Sequence, residues 1–228
     1  MTSTVIVGGS SGLGRVIAER HALGGDDVVI TSRTRERADE VAVDIGHGVR
    51  GLALDLAEPQ SIEAALQSVD AVDNLVITAI NQFPNTLQNF NVTEAVTSVT
   101  VKLVGYTEVV RVLSGRFTEK GNVVLFGGMA KDRPYPASTM VTTFNGGVSA
   151  LVRTLAVEIA PHRVNAIHPG VVGDSPKWRD VESHPAIPRT PIGRLVTMAE
   201  VADATDFLMS CTGVNAVNLD VSGGFLVM

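Results

Sequence analysis

Cysteine is almost absent: Cys211 is the only one in 228 residues. A lone thiol rules out an intrachain disulfide and a cysteine-rich metal centre, and it points to a reducing, cytoplasmic compartment. The five histidines (21, 47, 162, 168 and 184) show no HxxH or HExxH spacing, which argues against a zinc protease, and no metal site is expected. No apolar run approaches the roughly 18 residues of a membrane span. The N-terminus has no basic stretch leading into a long apolar segment, so neither secretion nor membrane insertion is expected. Positive charge is in deficit, with 18 Lys and Arg against 24 Asp and Glu and a net charge of −6. Proteins that neutralise nucleic-acid phosphates are normally basic, so no nucleic-acid partner is expected. Internal repeats, low-complexity segments and a linker that would divide the chain are missing as well.

What is present is apolar. Hydrophobic residues make up 45% of the chain and charged ones 18%, with a mean hydropathy of +0.24. Such a chain buries a large core as one domain spanning 1–228. Short Val- and Ile-rich runs recur at Thr4–Val7, Val28–Thr31, Gly51–Leu54, Asn74–Ala79, Asn122–Phe126, Arg163–Ile167 and Val217–Val221. They are apolar throughout, as strands covered on both faces must be. Helical spacing lies between them. From Val92 to Leu113 apolar residues fall at 96, 99, 103, 106, 110 and 113, and from Val148 at 148, 151, 152, 155 and 159, with Pro161 beyond the end. Strand–helix alternation predicts an α/β fold, a Rossmann-type doubly wound parallel sheet of about seven strands with helices on both faces. The irregular, proline-containing stretch 170–191 follows a strand and reads as a substrate loop or lid.

The first strand runs into Gly8-Gly9-Ser10-Ser11-Gly12-Leu13-Gly14. Gly8 permits a tight exit, Gly12 a close approach of backbone to a pyrophosphate, and Gly14 close packing of the following helix. The helix N-terminus favours an anion, and Ser10 and Ser11 add hydroxyl donors. After the second strand the chain reads Thr31-Ser32-Arg33-Thr34-Arg35. Ser32 stands where an NAD site places its ribose-binding acid, and Arg33 beside it suits a 2′-phosphate. NADP(H) is therefore favoured over NAD(H). The alternative is that Arg33, Arg35 and Arg37 form a solvated helix face.

These features, with Asp55-Leu56, Val164-Asn165-Ala166-Ile167-His168-Pro169-Gly170, Gly193-Arg194 and Ser222-Gly223-Gly224, resemble the single-domain short-chain dehydrogenase/reductase family over nearly the whole chain. The resemblance implies a nicotinamide cofactor, a small-molecule substrate and a homodimer or homotetramer. It places Gly8, Ser10, Ser11, Gly12, Leu13, Gly14, Ser32, Arg33, Asp55, Leu56, Thr78, Ala79, Pro169, Gly170 and Val172 around that cofactor, with Asp55 on the adenine.

The chemical positions depart from the family. Members use a Ser to polarise a carbonyl, a Tyr to give the proton, a Lys to lower the Tyr pKa and an Asn to order a water. Here Gly128 takes the Ser place, Val141 the Tyr place, Asn145 the Lys place and Lys102 the Asn place, and no Tyr-x-x-x-Lys occurs anywhere. Loss of a positioned acid costs on the order of 100- to 10,000-fold. The replacements at Gly128 and Gly146-Gly147 remove bulk and predict an enlarged pocket, and two successive glycines within a helix suggest a close approach by a ligand, a side chain or a partner helix. Candidate substitutes are Lys102 and Tyr135. Tyr106 sits on the side of the helix that carries Lys102, yet fits core packing, and Lys131 lies in a loop. His168 suits a structural role, and Asp174 and Ser175 stand where the family has a Thr near the carboxamide. Three readings remain: an NADPH-dependent reductase of a carbonyl or imine with an altered mechanism; a non-redox enzyme (dehydratase, cyclase or isomerase); and a non-catalytic coenzyme-binding sensor or subunit with a hetero-partner.

Overall fold

The computed structural model describes residues 1–81, 83 and 85–227. In chain order the elements are β1 (Ser3–Val7), α1 (Gly12–Leu23), β2 (Asp27–Ser32), α2 (Arg35–Ile45), β3 (Arg50–Ala53), α3 (Ile62–Ala65), β4 (Val72–Ile77), α4 (Val92–Val99), α5 (Tyr106–Ser114), β5 (Phe117–Phe126), α6 (Thr139–Glu158), β6 (Arg163–Pro169), α7 (Met198–Ser210) and β7 (Asn218–Val221). All seven strands pair in parallel, in the order β3-β2-β1-β4-β5-β6-β7. The seven apolar runs are these seven strands, with ends shifted by a few residues; β5 begins five residues before its apolar run.

Why the runs are apolar throughout is visible in β1. Val5 and Val7 point to one face, where they pack with Tyr106, Val109 and Leu113 of α5 and Val148 and Val152 of α6. Ile6 points to the other, where it joins Ile17 of α1, Val41 of α2 and Val201 and Leu208 of α7. Side chains alternate across a strand, so a sheet covered on both sides has no polar face to offer.

The stretch 92–113 departs from the expected single helix. A π-helical segment, Thr100–Gly105, separates α4 from α5. A wide turn adds a residue to the repeat and breaks the 3.6-residue phase. The stripe Tyr106, Val110, Leu113 is buried as expected, but Val96 is exposed, and Ala95, Ser98, Val101 and Lys102 are buried in its place. A Cβ on Gly105 would meet Leu56 at 2.8 Å, so only glycine lets this segment close on the loop after β3.

Residues 170–191 form turns and one short 3₁₀ turn, Ile187–Arg189. Val172 bridges to Val196. Among the described residues no helix is long and apolar enough to cross a membrane, and no group of three His, Cys, Asp or Glu could hold a metal ion.

At the opposite end of the sheet, Arg163 donates to the carbonyls of Leu208, Met209 and Val214 at 2.7, 2.7 and 3.0 Å. It thereby meets two C-terminal carbonyls of α7, while the Val214 carbonyl beyond the helix also accepts from Asn165 Nδ2 at 3.1 Å. Arg163→Met should take this donor from the Leu208 and Met209 carbonyls. A loss of about 2–3 kcal/mol in urea unfolding is expected from charge-assisted bonds; an unchanged midpoint would contradict this role.

Candidate functional site

The chain leaves β1 towards β2 and returns on the other side at β4. The C-terminal ends of these neighbouring strands therefore open a crevice, where open α/β sheets bind ligands. Gly8 leaves β1 at φ +86°, and Gly12 adopts φ +52°. A Cβ on Gly14 would press into the carbonyl oxygen of Gly8 and meet Thr78 Oγ1 at 2.5 Å. Thr78 Oγ1 donates to the carbonyls of Val7 and Gly8, both at 3.2 Å, and Gly8 N–H donates to Thr31 Oγ1 at 3.2 Å. The turn is thus clamped between β2 and β4. Ser11, at the N-cap of α1, spends no side-chain bond on capping, and the first turn carries no acid. The helix N-terminus is left to attract an anion.

The other residues assigned to the cofactor lie along the same edge. Ser32 ends β2. Asp55 Oδ1 accepts from Ala57 N–H at 2.9 Å, which orders the turn after β3. Leu56 is buried against Gly105. Leu13 packs partly into the core below α1. Ala79 sits over Gly8. Pro169 ends β6, Gly170 N–H donates to Val221 O at 2.9 Å, and Val172 is buried. The three arginines differ. Arg35 pairs with Asp39 at 2.7 Å and Arg37 with Glu40 at 2.8 Å. Arg37 also reaches the Ser10 carbonyl at 3.5 Å. Arg33 is exposed and makes no ion pair among the described residues. All three arginines are exposed; Arg35 and Arg37 lie on α2, and Arg33 lies in the turn between β2 and α2.

The chemical positions are tightly filled, which corrects the expectation of an enlarged pocket. Val141 is buried and packs with Ala130 and Phe144. A Cβ on Gly128 would lie 3.0 Å from Asn145 Nδ2, so Asn145 has taken the room that a serine would need. Asn145 is 3% exposed, and its Oδ1 has no hydrogen-bond partner among the described residues. A Cβ on Gly147 would meet Leu103 at 2.9 Å, so this glycine lets α6 close on the π segment; Gly146 faces open space.

Lys102 and Tyr106 are brought together. Lys102 is 2% exposed and Tyr106 fully buried. Lys102 Nζ donates to Tyr106 Oη at 2.8 Å, and Oη donates to Ala79 O at 2.7 Å, with Phe126 O at 3.4 Å. Both carbonyls stand at the ends of β4 and β5. Burial pushes the Lys102 amine down to about 7 and the Tyr106 hydroxyl well above its usual range. Tyr106 is therefore both core and polar partner. Sequence reasoning had placed it beside Lys102 without this bond. The i, i+4 spacing of Lys102 and Tyr106 was the signal, as was the exchange of Asn and Lys between positions 102 and 145.

The remaining candidates have other tasks. Lys131 is not free in a loop. It pairs with Asp132 and, at 3.3 Å, with Asp220, which ties the turn after β5 to β7. Tyr135 is 49% exposed, and its N–H donates to Ser138 Oγ at 2.9 Å. His168 is buried; its Nδ1 accepts from Gly128 N–H at 3.1 Å, which leaves Nε2–H to donate to Asn218 Oδ1 at 2.8 Å. Burial lowers its pKa, so it stays neutral and holds β5, β6 and β7 in register. Asp174 Oδ1 accepts from Met198 N–H at 2.7 Å at the start of α7, and Ser175 Oγ donates to Val172 O at 2.7 Å.

A family model described as Enoyl-(Acyl carrier protein) reductase matches residues 7–226. L-xylulose reductase from Cavia porcellus is 29% identical over 233 residues, 97% of this chain and 95% of the relative. The 3-oxoacyl-[acyl-carrier-protein] reductase FabG of Vibrio harveyi is 27% identical over 245 residues, 98% of this chain and 97% of the relative. The crystal structure of 3-ketoacyl-(acyl-carrier-protein) reductase from Brucella melitensis, complexed with NADH, superposes with a TM-score of 0.87 at 29% identity and covers 99% of this chain and 98% of that one. Glycine turn, strand order and full-length similarity agree: the chain belongs to the short-chain dehydrogenase/reductase family of oxidoreductases.

Proposed function

We propose that this protein is an NADP(H)-dependent oxidoreductase acting on a small organic carbonyl or imine by a mechanism that does without the Tyr-x-x-x-Lys pair. The observation that carries the reading is the clamped turn Gly8–Gly14, with Arg33 just past the end of the neighbouring β2 and in no ion pair among the described residues. That cradle fits a dinucleotide because Gly12, at φ +52°, faces open space that a pyrophosphate can approach, Gly14 lets α1 pack close to the strands, and the helix N-terminus is uncapped by any side chain. Gly12, Leu13 and Gly14 would hold the pyrophosphate, Ser10 and Ser11 would add hydroxyl donors, and Arg33 would grip the 2′-phosphate above Ser32. Asp55 and Leu56 would border the adenine. Thr78, Ala79, Pro169, Gly170 and Val172 would border the nicotinamide half. When bound, the reduced nicotinamide supplies the hydride.

The substrate proposal draws on the relatives. L-xylulose and a 3-oxoacyl thioester, the compounds their names specify, share a ketone. Residues 170–191, which begin at the end of β6, serve as the loop over that substrate. The exposed Val92, Val96 and Val104 leave an apolar face on α4 and the π segment, which supports a homodimer or homotetramer. A coenzyme-binding sensor or subunit without turnover is the second reading, favoured by the packing of Val141 where the family's acid stands.

Calorimetry should show saturable NADPH binding, weakened far more by Arg33→Ala than NADH binding is. An equal loss for both coenzymes would remove the 2′-phosphate assignment. Gly14→Val, which drives a branched side chain into Gly8 and Thr78, should abolish binding of both; retained affinity would contradict the cradle. NADPH consumption with L-xylulose or an acetoacetyl thioester would support the reductase reading. Binding without turnover across a panel of ketones and aldehydes would support the sensor.

A further inference from the structure

We propose that the buried Lys102–Tyr106 pair delivers the proton in this site, and that the group receiving it is the oxygen of a ketone or aldehyde. The inference rests on the oxidoreductase reading above and adds the donor and the class of acceptor.

The geometry is specific. Lys102 comes from the π segment, where the widened turn brings residues 101 and 102 inward together. Its amine donates to Tyr106 Oη at 2.8 Å, and that hydroxyl is fixed by the Ala79 carbonyl at 2.7 Å. An ammonium has three N–H donors, and among the described residues Lys102 has one hydrogen-bond acceptor. On this proposal the further donors of a dry amine at the ends of β4 and β5 serve a substrate oxygen. Tyr106 positions the amine and, with its hydroxyl raised well above the usual range, stays protonated.

The surroundings leave this titration to Lys102. Tyr106 faces it from its own helix. His168 of β6 lies within electrostatic reach but stays neutral, its pKa lowered chiefly by burial. The buried α6 residues Val141, Phe144, Asn145 and Val148 carry no charge. Glu94 of α4 is exposed, and Lys131 and Asp220 are bound to each other.

The step balances. Hydride from the reduced nicotinamide adds to the carbonyl carbon, which breaks the C=O π bond and leaves its electron pair on oxygen. An N–H bond of the Lys102 ammonium then breaks, the O–H bond forms, and the electron pair stays on nitrogen as a neutral amine. Solvent reprotonates that amine between turnovers. An iminium acceptor would need no such proton, because hydride addition already gives a neutral amine. An ammonium beside an iminium cation would also repel it. The pair therefore selects a carbonyl.

The test compares NADP⁺ with NADPH by calorimetry at pH 7 in phosphate and in Tris, which reads protons released on binding. Both coenzymes carry the 2′-phosphate, and only the oxidised one brings a positive ring to Lys102. A group titrating at about 7 is half charged at that pH. NADP⁺ should therefore release up to about half a proton more than NADPH. Lys102→Met should erase the difference, and Tyr106→Phe should shrink it. With any ketone that turns over, kcat/KM for reduction should fall as pH rises through about 7. Lys102→Met should lose that limb and at least about 100-fold in rate.

Lys102→Met should fold. The wild-type amine is depressed in the folded state, so the unfolded chain binds more protons between about 7 and the usual lysine range. Removing it raises the unfolding midpoint at pH 7, and the gain shrinks towards pH 10. Binding of both coenzymes with no proton difference, or the same difference in Lys102→Met, overturns the proposal. Absence of binding by either coenzyme overturns the oxidoreductase reading as well.

Discussion

The contact of Gly14 with the Gly8 carbonyl and Thr78 Oγ1 holds the upper edge of the sheet in its shape. It sets how near α1 comes to β1 and β4, and so where the first N–H groups of α1 are aimed. One added carbon would push the helix off the strands. A single hydroxyl, bonded to the carbonyls of both Val7 and Gly8, locks that approach. The crevice between β1 and β4 follows from this packing and from the strand order.

Beside the Gly8–Gly14 turn, the segments around residues 128, 141, 145 and 147 are packed together as one unit. Asn145 fills the space over Gly128, Val141 joins an apolar cluster, and Gly147 admits Leu103. These residues fit one another sterically, which is what a packed interior demands. A buried cationic side chain, Lys102 on the π segment, meets the phenol of Tyr106. An amine and a tyrosine hydroxyl thus stand side by side within the interior.

Much of the fold was legible in the sequence because a doubly covered parallel sheet leaves an unmistakable record, seven apolar runs separated by helical spacing. The cofactor edge was legible because Gly8, Gly12 and Gly14 answer to backbone geometry that few other residues satisfy. The π segment was not. A local widening leaves the spacing of 103, 106, 110 and 113 intact and shifts only Val96 out of phase, and no residue type announces it. Nor could the sequence show that Arg35 and Arg37 are spent on carboxylates while Arg33 is not, or that Lys131 is locked by Asp220, because those partners are set by three-dimensional packing. Gly128 read as empty space because its neighbour across the fold, Asn145, is 17 residues away in the chain.

A crystal structure with NADPH bound tests the account most directly. It should show the pyrophosphate on the Gly8–Gly14 turn, Arg33 on the 2′-phosphate, and the nicotinamide against the ends of β4 and β5, with space beside its reactive carbon for a carbonyl oxygen at about 2.6–3.2 Å from Lys102 Nζ. A nicotinamide held away from Lys102 by Asn145 and Val141, or a glycine turn that stays empty at saturating coenzyme, would contradict it.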